Sequence, residues 1–155
     1  MEILNKRARF DYFIEEEIEA GIVLTGTEIK SIRAGKCNIK DCYGVVKNGE
    51  VFLLNMYIAQ YKEGNIFNHE ETRSRKLLLH KKEIKKITQA IELNGLTLVP
   101  LKGYFKDNKF KILLGICKGK KNFDKRETIK DRDIKREVAK NIKNFRLLFF
   151  FFLCW

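Results

Sequence analysis

With 155 residues, 18.3 kDa and 45% hydrophobic residues, the chain can bury a core, which excludes global disorder. Its formal charge of +12 is uneven: residues 1–117 carry 20 basic and 15 acidic residues (+5), residues 118–155 carry 12 and 5 (+7). That excess fits a polyanionic partner, nucleic acid or an anionic membrane surface, with plain solubility charge as the bland alternative.

In chain order, "MEILNKRARF" has no apolar leader segment, so a cytoplasmic location is expected. "FDYFIEEEIEAGIVL" (10–24) reads as a strand, a Glu-rich turn or bend, and a second strand. In "TGTEIKSIRAG", Thr25 and Glu28 fit the capping box, in which each side chain satisfies the other residue's free N–H. A short helix follows, with Ile29 and Ile32 on one face, Lys30 and Arg33 on the outer side, and Gly35 as its stop. Asn48-Gly49 sits between two apolar runs and tolerates the positive φ angles of a type I′ turn, which predicts a hairpin over 42–59.

Residues 60–76 read as a long loop with embedded aromatics. "LLLHKKEIKKITQAIELNG" reads as a helix with Ile84, Ile87 and Ile91 on one face, ended by Asn94-Gly95. A second hairpin turns at Asp107-Asn108, and Pro100 inside its first strand implies an edge or a bulge. Up to Gly119 this gives about six antiparallel strands and two short helices. Without βαβ alternation, the fold expected is mainly β, a small OB-like antiparallel barrel.

The domain expected over 1–119 is followed by a basic tail over 120–155. Ile134, Val138, Ile142 and Phe145 mark a helical stripe one residue wide, too narrow to hold a helix against the barrel by itself. The tail is therefore expected to be disordered alone and helical on a partner. Its end, "RLLFFFFLCW", is too short to span a membrane, since nine residues follow Arg146 and about 20 are needed. A peripheral membrane anchor built from the basic tail and this Phe cluster is the competing reading.

Cys37, Cys42, Cys117 and Cys154 form no CxxC pair, and His69 and His80 lie at no zinc-ligand spacing from them. No metal site and no cofactor are expected, and the thiols read as free and buried. G-x-S-x-G, P-loop, G-x-G-x-x-G and HExxH motifs are all missing, so no catalytic apparatus is expected. Of the Glu-rich run, at most Glu15, Glu17 and Glu19 share a strand face. Basic residues instead recur beside planar or amide side chains: Lys6, Arg7 and Arg9 with Phe10; Arg33 and Lys36 with Asn38; Arg73, Arg75 and Lys76 with Asn65, Phe67 and Asn68. Lysine and arginine neutralise phosphates while flat rings stack on bases, so these clusters point to folded or single-stranded RNA.

The blocks "NKRARFDYFIEEEIEAGIVLTGTEIKSIRAGK", "NIFNHEETRSRKLLLHKKEI" and "GLTLVPLKGYFKDNKFKILLGICKGKKNFDKRETIKDRDIKRE" resemble the SmpB family of SsrA-binding proteins, over about residues 4–143. The resemblance implies an adaptor that binds the tRNA-like domain of tmRNA, one copy per tmRNA. It would travel as alanyl-tmRNA with elongation factor Tu and GTP to a stalled 70S ribosome, whose decoding centre and empty mRNA channel its tail would occupy. It points to Glu19 and Leu78 as tmRNA-binding residues. The expected RNA surface also takes in Asn5, Lys6, Arg7, Arg33, Lys36, Asn38, Arg73, Arg75, Lys76, Lys120 and Lys121. Phe123, Asp124, Lys125, Arg126, Lys130, Arg132, Lys135 and Arg136 are the expected ribosome-contacting tail residues. Two positions depart from the family pattern: Phe10 stands where a histidine is usual, and the basic tail ends in phenylalanines.

Overall fold

The computed structural model describes residues 1–64, 66 and 68–153, with side chains described as far as residue 143. Asn65 and Phe67 of the third cluster, Cys154, and the side chains of Phe145 and the Phe-rich end lie outside the described residues. The chain divides into two compact units, Met1–Gly119 and Lys120–Trp155.

The first unit runs β1 (Glu2–Leu4), α1 (Ala8–Asp11), β2 (Tyr12–Ile22), α2 (Gly26–Arg33), β3 (Cys37–Asn38), β4 (Tyr43–Lys47), β5 (Glu50–Leu54), β6 (Tyr57–Ile58), β7 (Arg75–Leu78), α3 (Lys81–Asn94), β8 (Thr97–Lys106) and β9 (Lys109–Gly119). The main sheet has the order β1-β8-β4-β5-β7-β2-β9, and β8 also pairs with β9, so six strands close on themselves. Each pairing is antiparallel, and closure removes the open edges that invite aggregation. The long β8 serves two neighbours along one edge: Leu98 faces Gly44 of β4, while Lys102 and Tyr104 face Leu4 and Glu2 of β1. β3 and β6 form a separate two-stranded pair.

Local chemistry explains the connections. Asn48 and Gly49 have φ of 53° and 73°, and Asp107 and Asn108 have 51° and 59°, the left-handed pairs that match the twist of two-residue hairpins. Gly95 ends α3 at φ 61°. The α2 capping box is complete: Thr25 N–H donates to Glu28 Oε2 at 2.8 Å and Glu28 N–H to Thr25 Oγ1 at 3.4 Å. Ile18, Ala20 and Ile22 from β2, Val51 and Leu53 from β5, and Ile112, Leu114 and Ile116 from β9 fill the barrel, with Ile32 and Ile87 added by the helices.

Two sequence expectations need correction. Residues 12–22 form one strand without a turn; the register against β9 slips between Ile14 and Glu16, so Glu15 is the extra residue of a bulge. Leu77 and Leu78 belong to β7 and not to the following helix, which begins at Lys81. Pro100 does mark a bulge, between Pro100 and Lys102 in the β8–β9 ladder.

In the second unit α4 spans Asn122–Leu153. Residues 129–143 are exposed.

Candidate nucleic-acid interface

Three adjacent strands build one outward-facing polar row. Hairpin symmetry about Asp107-Asn108 sets Tyr104 of β8 opposite Lys111 of β9, and the next ladder sets Lys111 opposite Gly21 of β2, two residues from Glu19. Lys111 Nζ donates to Glu19 Oε1 at 2.7 Å, the Tyr104 hydroxyl donates to Oε2, and Lys106 Nζ lies 3.9 Å from Oε1. The Lys111 bond, followed by the Tyr104 bond, holds the Glu19 carboxyl down at about 2. Tyr104 moves the other way, to about 12, through burial and its bond to the carboxylate. Lys102 closes the row: its Nζ lies 5.0 Å from the Tyr104 ring centroid and 3.6 Å from Glu2 Oε1.

Leu78 reaches the same region from β7. It pairs with Gly21, where an added Cβ would come to 3.3 Å from Leu78 Cβ, so the glycine leaves the leucine room. The Leu78 side chain is 54% exposed, unlike its buried neighbour Leu77. Glu19 and Leu78 both line a groove of about 750 Å³, together with Glu16, Lys86 and Lys111. Lys86 Nζ in α3 reaches Glu16 Oε1 at 2.5 Å, tying the helix to β2 across it. An ionised carboxylate retains acceptor sites for base amino groups or ribose hydroxyls, the lysines suit phosphates, and an exposed leucine covers the flat side of a base or sugar.

Other expected residues divide by burial. Lys6, Arg7, Arg33, Lys36 and Asn38 are exposed. The Arg33 guanidinium stands 5.3 Å from the Phe105 ring centroid, and Arg7 Nε donates to Asp11 at 2.9 Å. Lys76 Nζ pairs with Glu50 at 2.7 Å. Arg73 donates through Nε and Nη2 to both oxygens of Glu28, at 2.8 and 2.7 Å.

Asn5 and Arg75 are removed from the RNA surface. Asn5 is buried; its Nδ2 donates to the Ile39 and Pro100 carbonyls at 3.2 and 2.9 Å, and its Oδ1 accepts from Ala8 N–H at 3.2 Å. Arg75 is fully buried, donating to Glu28 Oε1 at 2.8 Å and to the carbonyls of Met56, Arg73 and Glu71 at 2.6, 3.1 and 3.2 Å. A buried cation needs such partners, and these serve folding.

In the tail, Asp124 Oδ2 accepts from Lys121 N–H at 3.0 Å, capping the start of α4, and Lys120 Nζ donates to Thr128 Oγ1 at 3.1 Å. Phe123 is 59% exposed, a ring presented for contact. Arg126, Lys130, Arg132, Lys135 and Arg136 are exposed and Lys125 is half-buried.

Sequence reasoning missed Lys111, Tyr104 and Lys86. The turn at Asp107-Asn108 already pairs 104 with 111, so that signal was present; the approach of α3 to β2 was not. Burial pushes the Cys37 and Cys42 thiols up to about 12 and Cys117 to about 11. Among the described residues no helix is long and apolar enough to cross a membrane.

A family model described as "SmpB protein" matches residues 2–144. The SsrA-binding protein of Shouchella clausii (strain KSM-K16) is 60% identical over 139 residues, covering 90% of this chain and 89% of its own length. That of Acetivibrio thermocellus is 60% identical over 143 residues, with 92% and 93% covered. A chain in a solved structure described as "tmRNA-SmpB: a journey to the center of the bacterial ribosome" is 48% identical with a TM-score of 0.65, covering 78% of this chain and 85% of that one.

Proposed function

The chain belongs to the SmpB family, and from that premise we propose that it is the adaptor that binds tmRNA and brings it to stalled ribosomes for trans-translation. The observation that carries the reading is the convergence of Glu19 and Leu78, with Lys111, on one groove of a closed six-stranded barrel. That groove offers an ionised acceptor, a cation and an apolar cover side by side, which suits the irregular elbow of a folded RNA. Lys6, Arg7, Arg33, Lys36, Asn38, Arg73 and Lys76 add phosphate and base contacts elsewhere on the barrel.

The protein acts by binding, without a reaction of its own, in the bacterial cytoplasm. It serves one tmRNA at a time, as alanyl-tmRNA with elongation factor Tu and GTP. Residues 120–155 work as a separate segment, with Lys120 and Lys121 at the RNA and Phe123, Asp124, Lys125, Arg126, Lys130, Arg132, Lys135 and Arg136 in the decoding centre and empty mRNA channel.

Filter-binding titrations of tmRNA and of a tRNA, each at two salt concentrations, test the reading. It expects selective tmRNA binding that weakens steeply with salt. Equal affinity for the two RNAs overturns it.

A further inference from the structure

The Glu19 side chain is 34% exposed, and a free glutamate at such a position spreads over many rotamers. Here each carboxylate oxygen has its own anchor, and the anchors stand on different strands. Lys111 Nζ in β9 donates to Oε1, and the Tyr104 hydroxyl in β8 donates to Oε2. One anchor fixes a distance; two, on different oxygens, also fix the plane of the carboxylate.

The two anchors are not equivalent. A lysine is a point charge on a flexible four-carbon stem, free to follow the carboxylate as it moves. A tyrosine hydroxyl sits on a rigid ring with two torsions, and that of Tyr104 is restrained further. Its residue is paired on both sides, with Glu2 of β1 and with Lys111 of β9, and Lys102 Nζ stands 5.0 Å from the ring centroid. With a pKa of about 12, the phenol remains a donor at neutral pH.

The groove gives this orientation a purpose. The carboxylates of Glu16, Glu17, Glu19 and Glu83 line it, against two lysines, Lys86 and Lys111. Both lysines are already paired, Lys86 with Glu16 and Lys111 with Glu19. A phosphate entering this lining must displace a carboxylate, whereas a hydrogen-bond donor need not. A carboxylate offers about four acceptor positions, so each oxygen of Glu19 keeps a further one open. Setting its plane before the RNA arrives saves the entropy of ordering it on binding.

We propose that Tyr104 is the positioning residue of this groove: its hydroxyl on Oε2, set against Lys111 on Oε1, holds the Glu19 carboxylate in one orientation, open to hydrogen-bond donors of the RNA. The inference rests on the adaptor reading and gives a role in RNA recognition to a side chain that acts through another.

Tyr104→Phe removes the hydroxyl and keeps the ring. On the full-length chain, tmRNA affinity is expected to fall about tenfold, as loss of a hydrogen bond to a charged group implies, with the thermal midpoint and salt slope unchanged. In a Glu19→Ala background the same change is expected to cost less than about twofold, because nothing is left to position. Additive losses would make Tyr104 an RNA contact in its own right and overturn the proposal. Tyr57→Phe is the control, since it breaks another exposed tyrosine–glutamate bond, to Glu71 at 3.4 Å. It should leave affinity unchanged, and an equal fall there overturns the proposal as well.

Three-bond couplings along the Glu19 side chain, read by NMR without RNA, report the positioning itself. They are expected to show a single rotamer in the unmodified chain and averaged rotamers in Tyr104→Phe. Couplings that the substitution leaves unchanged overturn the proposal. Selective tmRNA binding by the unmodified chain, read in the same titrations, keeps the two readings apart. Its absence sinks the adaptor role, whereas selective binding that Tyr104→Phe does not weaken sinks only the positioning role.

Discussion

Glu28 Oε1 and Arg75 Nε lie 2.8 Å apart, both side chains fully buried, with Arg73 closing on the same carboxylate from the partly exposed side. One carboxylate thus joins α2 to the end of the loop that precedes β7. Arg75 also binds the carbonyls of Glu71 and Met56, so the loop's return is fixed from inside. Removing one member of such a group leaves the other charge buried without compensation. Glu28→Gln is expected to destabilise the domain by about 3–5 kcal/mol, read as a fall in the urea midpoint.

The same carboxylate shapes the acid limb of stability. Burial alone would raise the Glu28 pKa, yet the bonds from Arg73, the Thr25 N–H and Arg75 outweigh it and bring it below the ordinary 4.5. Glu19 is lowered too, to about 2. For a depressed carboxylate the unfolded chain binds more protons in the window between the two values. The stabilisation is therefore complete above about pH 4.5 and is lost as pH falls through the folded value. Urea midpoints should hold from pH 7 to 5 and fall towards pH 3, with a shallower fall in Glu28→Gln. A midpoint unchanged down to pH 3 would contradict this.

Leu78→Asn separates binding from folding. The leucine is 54% exposed, so its loss should move stability by less than about 0.5 kcal/mol. Its apolar cover over the groove disappears, so tmRNA affinity should drop while the salt slope stays unchanged, because no charge is lost. A parallel loss of thermal stability would instead make the residue part of the core.

Gly44→Ala probes the tightest strand contact. A Cβ at Gly44 would land inside the Leu98 side chain and 3.1 Å from Leu98 Cβ, and Leu98 is fully buried, with no room to withdraw. Overpacking of this kind costs about 1–3 kcal/mol. Thermal denaturation should show it, whereas Gly49→Ala acts only through its φ of 73° in an open turn.

Cutting the chain at about residue 122 should leave tmRNA binding by the barrel intact and abolish tagging on stalled ribosomes. A truncated protein that still supports tagging would remove the tail from the mechanism.

The hairpins and the capping box were legible because each rests on neighbours in sequence, and the run of short strands without βαβ alternation gave the barrel as a class but not its closing pairs. Asn48-Gly49 and Asp107-Asn108 declare their turns through the φ angles that they tolerate. Long-range pairing was not legible. The capping box accounted locally for Glu28 and so concealed its second role, with arginines 45 and 47 residues away. Nothing in "TRSRK" marks Arg75 as inward; that follows from the β7 register, in which Arg75 and Leu77 face the core, whereas Arg73 precedes the strand and stays partly exposed. Asn5 looked like an RNA contact beside two cations, but its amide joins the carbonyls of Ile39, just past β3, and of Pro100 in β8, 34 and 95 residues on. The Glu19–Tyr104 contact spans 85 residues and needs the β2–β9–β8 adjacency, which only the closed sheet supplies.

The ladder that closes the barrel also orders its biosynthesis. β2 makes two residue pairs with β7 but nine with β9, and β1 waits for β8, so the earliest strands find their main partners last. A nascent chain halted before the second hairpin is an open sheet with bare edges, a substrate for proteases and not a weakened adaptor. A broken copy of this protein's own message yields no partly active product: the machinery is complete only once the last barrel strand has emerged.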